Sequence, residues 1–354
     1  MDNLLIKCSK GDVWMKKLNV FITVGAYCNN ISDPLFTLVR DRKIEGLRFN
    51  LGKYSNVKDI YEKALFIKAV KMKYRDIQIM LDIPFPGHKQ RIKISGNKLA
   101  VKKGKIAVFS CKGYPCIDNI IVESKCFFEK IKKDQILIYA DGDCAFKVVE
   151  TNKEQMEAYA LVLNDAVLYS GKSITTGDIL CDEEIPMYLS DVISIVNPNF
   201  VALSFVSDCS DIKKIRKVVD SNEVGIVSKV ESRQAINNLE GISKNSDIMM
   251  ARGDLLLNVP LPIFPEIQKR IADITNANSK RLFCATGILN SLIQMDTIFP
   301  SQADLNDLYI LLNYRPYALI LNYRENRIEA FHRILEIITQ MEQVIASNVR
   351  DGRN

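Results

Sequence analysis

A lysine, a glutamate and an aspartate close two neighbouring apolar runs within GIVSKVESRQAINNLEGISKNSDIMMARGDLLL, residues 225–257. Lys229 and Glu231 end the first run, and Asp254 follows the second. Glu231 and Asp254 suit a hard divalent cation such as Mg2+, which takes one or two carboxylates plus waters and substrate oxygens. Other apolar runs end in chemistry too: Arg48 and Asn50 in GLRFNL, Asp82 in IQIMLDI, Ser204 and Phe205 in FVALSFV. Arg252 and Gly253 end DIMMARG, and Thr286 ends RLFCATG. Arg48 and Lys229 suit a phosphorylated or carboxylated substrate. The Gly-Asp pair at 253–254 could open a helical turn whose free N–H groups cradle a carboxylate. Singly, an Asp or Lys at such a place is more often a loop salt bridge, and Asn50 or Thr286 a cap or turn former. Their joint occurrence at successive run ends points to one site for an anion and a cation together, because buried charges are costly unless paired or liganded.

The elements that must position these residues are repeating β-α units. Short runs rich in β-branched residues stand at 19–25, 46–51, 77–83, 200–206, 224–230, 247–253, 281–287 and 317–323. Helical stretches separate them: DPLFTLVRDR, about 56–74, SDIKKIRKVVD, ESRQAINNLEGI, FPEIQKRIADITNA, SQADLNDLYILLN and about 325–348. Eight such strands, each followed by a helix and reading as continuous apolar runs, predict an α/β fold, a parallel (β/α)8 TIM barrel. Catalytic groups of that fold come from the C-terminal strand ends, where the candidates stand.

The spacing breaks once. More than a hundred residues separate the third run from the fourth, too many for a barrel loop. Alternating runs such as QRIKIS, NIIVES and DQILIYADGD fill the gap. They predict a small β-rich lid domain at 88–176, inserted after the third strand at the rim of the site. The barrel then occupies 1–87 and 177–350, re-entered through a helix near 183–197.

Composition excludes several classes. Apolar residues make up 47 % and charged residues 25 %, as in an ordinary globular protein. The net charge of +6 is spread along the chain, and runs such as VKKGKI and EKIKKD read as solvated surface rather than a nucleic-acid footprint. Nine cysteines without a CxxC pair predict free thiols in a reducing compartment, with neither disulfide frame nor zinc site. With only His88 and His332, a Ser-His-Asp hydrolase or histidine-rich metal centre is disfavoured. The N-terminal sequence carries no secretory pattern, and no apolar run reaches bilayer length. A cytoplasmic protein without membrane attachment is expected.

These motifs resemble those of the pyruvate kinase family along most of the chain. GLRFNLG is similar to its arginine-asparagine motif, IMLDI and VALSFV to its third and fourth strands, and IVSKVES to its lysine-glutamate signature. SDIMMARGDL resembles its metal-aspartate segment, CATGIL its threonine loop, and YADGD the lid's aspartate-glycine turn. The resemblance implies phosphoryl transfer between phosphoenolpyruvate and ADP, yielding pyruvate and ATP, with Mg2+ or Mn2+. By it Lys229 stabilises the transferring phosphoryl group and the enolate, and Glu231 and Asp254 bind the metal. Gly253 and Thr286 meet the substrate carboxylate, with Thr286 near the carbon that is protonated. Ser204, Phe205 and Arg252 lie on the substrate side, and Arg48 holds phosphate. Asn50 and Asp82 belong to a monovalent-cation site. Family barrels pair through their own helices, so a homodimer is implied.

Departures accompany the resemblance. Gly52 and Lys53 stand where the family has serine and histidine, and Ile83 where it has threonine, which degrades the K+ site. The next loop, PFPGHKQR, carries an insertion that leaves Lys89 and Arg91 both open as the replacement for a phosphate-binding arginine. The eighth strand ends in NYRE, and Ala140 replaces the lid's first aspartate. The sequence ends after the last barrel helix, so the C-terminal allosteric domain is expected to be absent. Three functions stay open: the kinase, a barrel enzyme of pyruvate-enolate chemistry with a changed acceptor or reaction, and a regulatory relative without catalysis.

Overall fold

In a computed structural model, residues 5–6, 15–16, 18–25, 28–54, 56–84, 90–112, 119–140, 142–176, 185–219, 221, 223–295, 297–324 and 327–350 are described. Eight parallel strands close into a barrel: β1 Asn19–Val24, β2 Gly46–Asn50, β3 Gln78–Ile83, β4 Phe200–Leu203, β5 Gly225–Val230, β6 Asp247–Ala251, β7 Leu282–Ala285 and β8 Ala318–Asn322. Each strand pairs with its sequence neighbour, and β8 closes on β1. The predicted (β/α)8 barrel is therefore the fold.

The barrel is filled, not hollow. Phe21, Phe200 and Phe283 meet edge to face inside it, with ring centroids 5.2–6.1 Å apart. Room for the rings comes from glycine: a β-carbon at Gly46 would lie 2.2 Å from Phe21, and one at Gly225 2.7 Å from Phe200. Neither separation is sterically possible, so larger residues there would break the packing. A second apolar layer lies between the strands and the surrounding helices, which is why the strands carry no polar alternation.

The helices of the main barrel are α1 Leu35–Arg40, α2 Val57–Lys73, α3 Tyr188–Val196, α4 Cys209–Val218, α5 Arg233–Asn237, α6 Leu239–Asn245, α7 Arg252–Asn258, α8 Phe264–Ala277, α9 Asn290–Gln294, α10 Gln302–Asn313 and α11 Ile328–Arg350. The stretch expected as one helix at 231–242 is two, broken at Asn238, whose side-chain amide donates to the Ser207 carbonyl at 2.9 Å. Three strands are shorter at their C-terminal ends than their apolar runs, because the backbone turns there. Phe205 has φ +51° after β4, Thr286 φ +77° after β7, and α7 starts directly at Arg252 after β6.

Between β3 and β4 a second closed barrel forms, small and mostly antiparallel, from strands lying between Gln90 and Thr175. Its core holds Phe109, Phe146 and Tyr139 among others. The turn at Gly142 (φ +100°) faces the main barrel: a β-carbon there would lie 3.2 Å from Leu257 on α7. Against the expectation of free thiols throughout, Cys126 is disulfide-bonded, whereas Cys28, Cys111, Cys144, Cys209 and Cys284 are free. Pairing depends on spatial approach of the β-carbons, which sequence spacing does not report. No helix among the described residues is long and apolar enough to cross a membrane.

Candidate active site

At the C-terminal strand ends, five neighbouring strands bring one charged network together. Asp82 of β3 is buried and central. Arg48 of β2 grips its Oδ2 with Nε at 3.0 Å and with Nη2, while Nη1 donates to Thr23 of β1 at 2.8 Å. Lys229 of β5 reaches Asp82 at 3.4 Å, the Ser204 hydroxyl at 2.9 Å and Glu231 Oε1 at 3.0 Å. Ser204 donates to Asp82 Oδ1 at 3.3 Å. The left-handed turn at Phe205 aims its backbone N–H at Glu231 Oε2, 2.6 Å away. Register explains the convergence: parallel pairing sets Asp82 beside Ala202 on β4 and Asn50 on β2, and Lys229 beside Met249 on β6.

Burial dominates the electrostatics and is overcome unequally. It opposes ionisation of Asp82, but the charges of Lys229 and Arg48 outweigh it and hold the carboxyl below its usual range. Burial would also lower Lys229, yet Asp82 and then Glu231 reverse that and keep the ammonium charged. Glu231 is different. Burial pushes it up to about 7, with Lys229 opposing and the nearby Asp254 adding to the rise. Counted by charge, the cluster sets two cations, Arg48 and Lys229, against three carboxylates, Asp82, Glu231 and Asp254, an excess of one negative group.

That excess is the test of a divalent cation. Glu231 and Asp254 are hard oxygen donors, and Asp254 stands in the first turn of α7. Asn258, at the end of the same helix, donates to the backbone carbonyls of Glu231 at 2.8 Å and Asp254 at 2.9 Å, tying the two residues together. The donor set fits Mg2+. Among the described residues no group of three or more His, Cys, Asp and Glu forms a metal site. A cation held here would therefore complete its shell with water and substrate oxygens.

A second group adjoins this network. Thr286 is exposed on the loop after β7, and Gly253 lies so close that a β-carbon on it would sit 3.1 Å from the threonine methyl. Arg252, expected on the substrate side, instead directs its buried guanidinium at the Thr286 carbonyl and at Asp307. Asn50 lies opposite Asp82 in register, but its Oδ1 accepts from the Gly52 N–H at 3.0 Å and so caps the short 3-10 turn Leu51–Lys53. Of the two cations left open in the loop after β3, Lys89 falls outside the described residues. Arg91 donates to the Gly171 carbonyl within the lid barrel at 2.5 Å. At the end of β8, Tyr323 donates to Asp33 at 3.1 Å, and Arg324 reaches the Ile293 carbonyl at 3.5 Å.

Sequence reasoning missed Thr23, Asn258 and Asp307. Thr23 stands at a strand end and was findable by that rule. Asn258 and Asp307 lie on helices, where nothing marked them.

The family model described as "Pyruvate kinase, barrel domain" matches residues 15–309. The chain belongs to the pyruvate kinase family. Among curated relatives, the pyruvate kinase of Pyrobaculum aerophilum is 27 % identical over 278 residues, 75 % of this chain and 58 % of its own length. That of Thermotoga maritima is 28 % identical over 302 residues, 83 % of this chain and 63 % of its own. The chain thus spans about three fifths of the length of these pyruvate kinases. Two crystal structures of pyruvate kinases share the fold. The P. aerophilum enzyme superposes with a TM-score of 0.73 at 20 % identity, covering 91 % of this chain and 73 % of that one. The Cryptosporidium parvum enzyme gives 0.74 at 18 % identity, covering 92 % and 69 %.

Proposed function

We propose that this chain transfers a phosphoryl group between phosphoenolpyruvate and ADP, using Mg2+. The observation that carries the reading is Lys229, a buried, charged ammonium held at a strand end by Asp82, Ser204 and Glu231, with Asp254 beside it. Phosphoryl transfer demands positioning and charge neutralisation rather than covalent participation by the protein. A fixed cation whose orientation costs no reorganisation is what such a transition state requires.

In the direction of pyruvate formation, the bond from phosphorus to the enol oxygen breaks and a bond to the ADP β-phosphate oxygen forms. The enolate left behind takes one proton at its terminal carbon to become pyruvate. Lys229 faces the charge that develops on the transferring group and on the enolate. Gly253 leaves backbone space beside Thr286, where this reading puts the substrate carboxylate, with Thr286 near the carbon that takes the proton. Glu231 and Asp254 would hold Mg2+, which when bound neutralises charge on substrate oxygens. Arg48 is committed to Asp82 and Thr23, so in this reading it supports the phosphate region by fixing Asp82.

K+ has no place in the reading. Asp82, the residue expected to share a monovalent cation, already carries Arg48 and Lys229. A homodimer remains part of the proposal, supported by the exposed apolar side chains Leu261, Ile298 and Phe299 near the rim.

One observation favours a second reading, a changed acceptor. Tyr323 and Arg324 are tied to Asp33 and Ile293 at the end of β8, where the family motif differs. The deciding experiment is a coupled assay of purified protein with phosphoenolpyruvate, Mg2+ and ADP. Pyruvate and ATP formed at a rate lost in Lys229→Met would support the kinase. Mg2+-dependent exchange of pyruvate methyl protons without ATP formation would move the reading to another acceptor. Silence in both would leave a non-catalytic relative.

A further inference from the structure

We infer that Asp307 on α10 is a positioning residue for Thr286, acting through Arg252. The inference rests on the kinase reading only for its kinetic consequence. Arg252 opens α7, and its side chain is buried. Nε and Nη2 donate to the Thr286 carbonyl at 3.0 and 2.7 Å. Nη1 and Nη2 donate to the two carboxylate oxygens of Asp307 at 2.5 and 2.8 Å. These four bonds leave the guanidinium one N–H for anything else, so its planar fork is spent inside the protein.

What the fork holds is an unfavourable backbone. Thr286 has φ +77°, and a β-branched residue in the left-handed region persists only where its surroundings over-determine it. The surroundings here are specific. Gly287 follows with φ +78°, which favours glycine, and a β-carbon on it would lie 3.2 Å from Arg252 Nη2 and press on the guanidinium. On the other side Gly253 lets the threonine methyl approach the start of α7. Arg252 alone would be a long, adjustable side chain. Asp307, more than 50 residues further on and in a different helix, fixes the plane of the guanidinium and with it the carbonyl that sets the threonine. Its effect reaches substrate through Arg252 and Thr286, not by contact.

The test is a double-mutant cycle with two readouts. Asp307→Ala, Asp307→Asn, Arg252→Ala and the double Arg252→Ala/Asp307→Ala are compared with Asp273→Asn, which removes only an exposed surface pair with Lys269. Steady-state constants for phosphoenolpyruvate, and hydrogen exchange of the 285–289 backbone, are measured for each. In Asp307→Ala, kcat should fall roughly 10- to 100-fold, the scale of a small misplacement at a reacting group. KM should move far less. Asp307→Asn, which keeps one acceptor oxygen, should recover part of the loss. The double variant should be no slower than Arg252→Ala, and exchange at 285–289 should speed up in every clamp variant but not in Asp273→Asn. Additive losses, or unchanged exchange in Asp307→Asn, would overturn the inference. Should the unmutated protein show no turnover, the kinase reading fails by itself, and hydrogen exchange alone still decides the clamp.

Discussion

The two ends of the barrel both pair charge, and they do it differently. At the N-terminal end Arg281 donates to Asp247 through Nε at 2.8 Å and Nη2 at 2.7 Å, and lies over the Phe200 and Tyr317 rings. One cation meets one carboxylate, and aromatic faces cover the pair. At the C-terminal end two cations, Arg48 and Lys229, face three carboxylates, Asp82, Glu231 and Asp254. The balanced end closes the barrel. The unbalanced end leaves Glu231 with a proton affinity that a metal could satisfy instead. The same strands thus supply stability at one end and chemistry at the other, as is general for this architecture.

The largest effect expected from disturbing the unbalanced end is that of Lys229→Met. Removing one fixed transition-state charge should lower kcat by about 10^2- to 10^3-fold or more, with far-ultraviolet circular dichroism unchanged. Turnover equal to that of the unmutated protein would remove Lys229 from the mechanism. Next is Asp254→Asn, which should raise the Mg2+ concentration for half-maximal rate by roughly tenfold or more, the scale on which metal sites respond to altered support. An unchanged Mg2+ response would sink the metal assignment.

Glu231 gives the comparison a pH dependence. With its carboxyl at about 7 in the metal-free protein, Mg2+ must displace a proton at any lower pH. Apparent Mg2+ affinity should therefore drop as pH falls below about 7, by up to tenfold per unit, and level off above it. The sign for stability is opposite. Unfolded Glu231 ionises near its ordinary value of 4.5 while the folded group stays neutral until about 7. This residue accordingly lowers stability progressively as pH rises between those values. Asp82, held below its ordinary range, works the other way: its contribution is present above an ordinary aspartate value and is lost as pH falls through the folded one. Titration calorimetry with Mg2+ at pH 6 and pH 8 checks the first effect, and urea melts between pH 4.5 and about 7 the Glu231 effect on stability.

Most of the fold was legible because a closed parallel barrel needs continuous apolar strands, and these stand out from the helical stretches between them. The strand ends were less so. FVALSFV reads as apolar through Val206, yet Phe205 turns left-handed to present its N–H to Glu231, a choice that composition does not encode. Lys229, Glu231 and Asp254 were legible because strand-end position and chemical type coincide. Arg252 was visible as a charged strand-end residue, but the direction of its guanidinium was not, since Asp307 lies in another helix. Asn258 reads as an ordinary helix-end asparagine until its amide is seen spanning the Glu231 and Asp254 carbonyls.

Breaking the balanced end should do almost nothing to kinetics. Asp247→Asn leaves Arg281 over the Phe200 and Tyr317 rings but removes its charge partner and weakens the acceptor for the Arg281 backbone N–H, now at 2.9 Å. Arg281 is substantially solvent-exposed, so screening limits the loss to about 1–2 kcal/mol in a urea melt. KM and kcat should stay at their unmutated values, because Phe21, Phe200 and Phe283 separate this pair from the Asp82 network. A kinetic change comparable with that of Asp254→Asn would mean that the aromatic plug transmits strain along the barrel. The two ends would then be one coupled system rather than a foundation and a site.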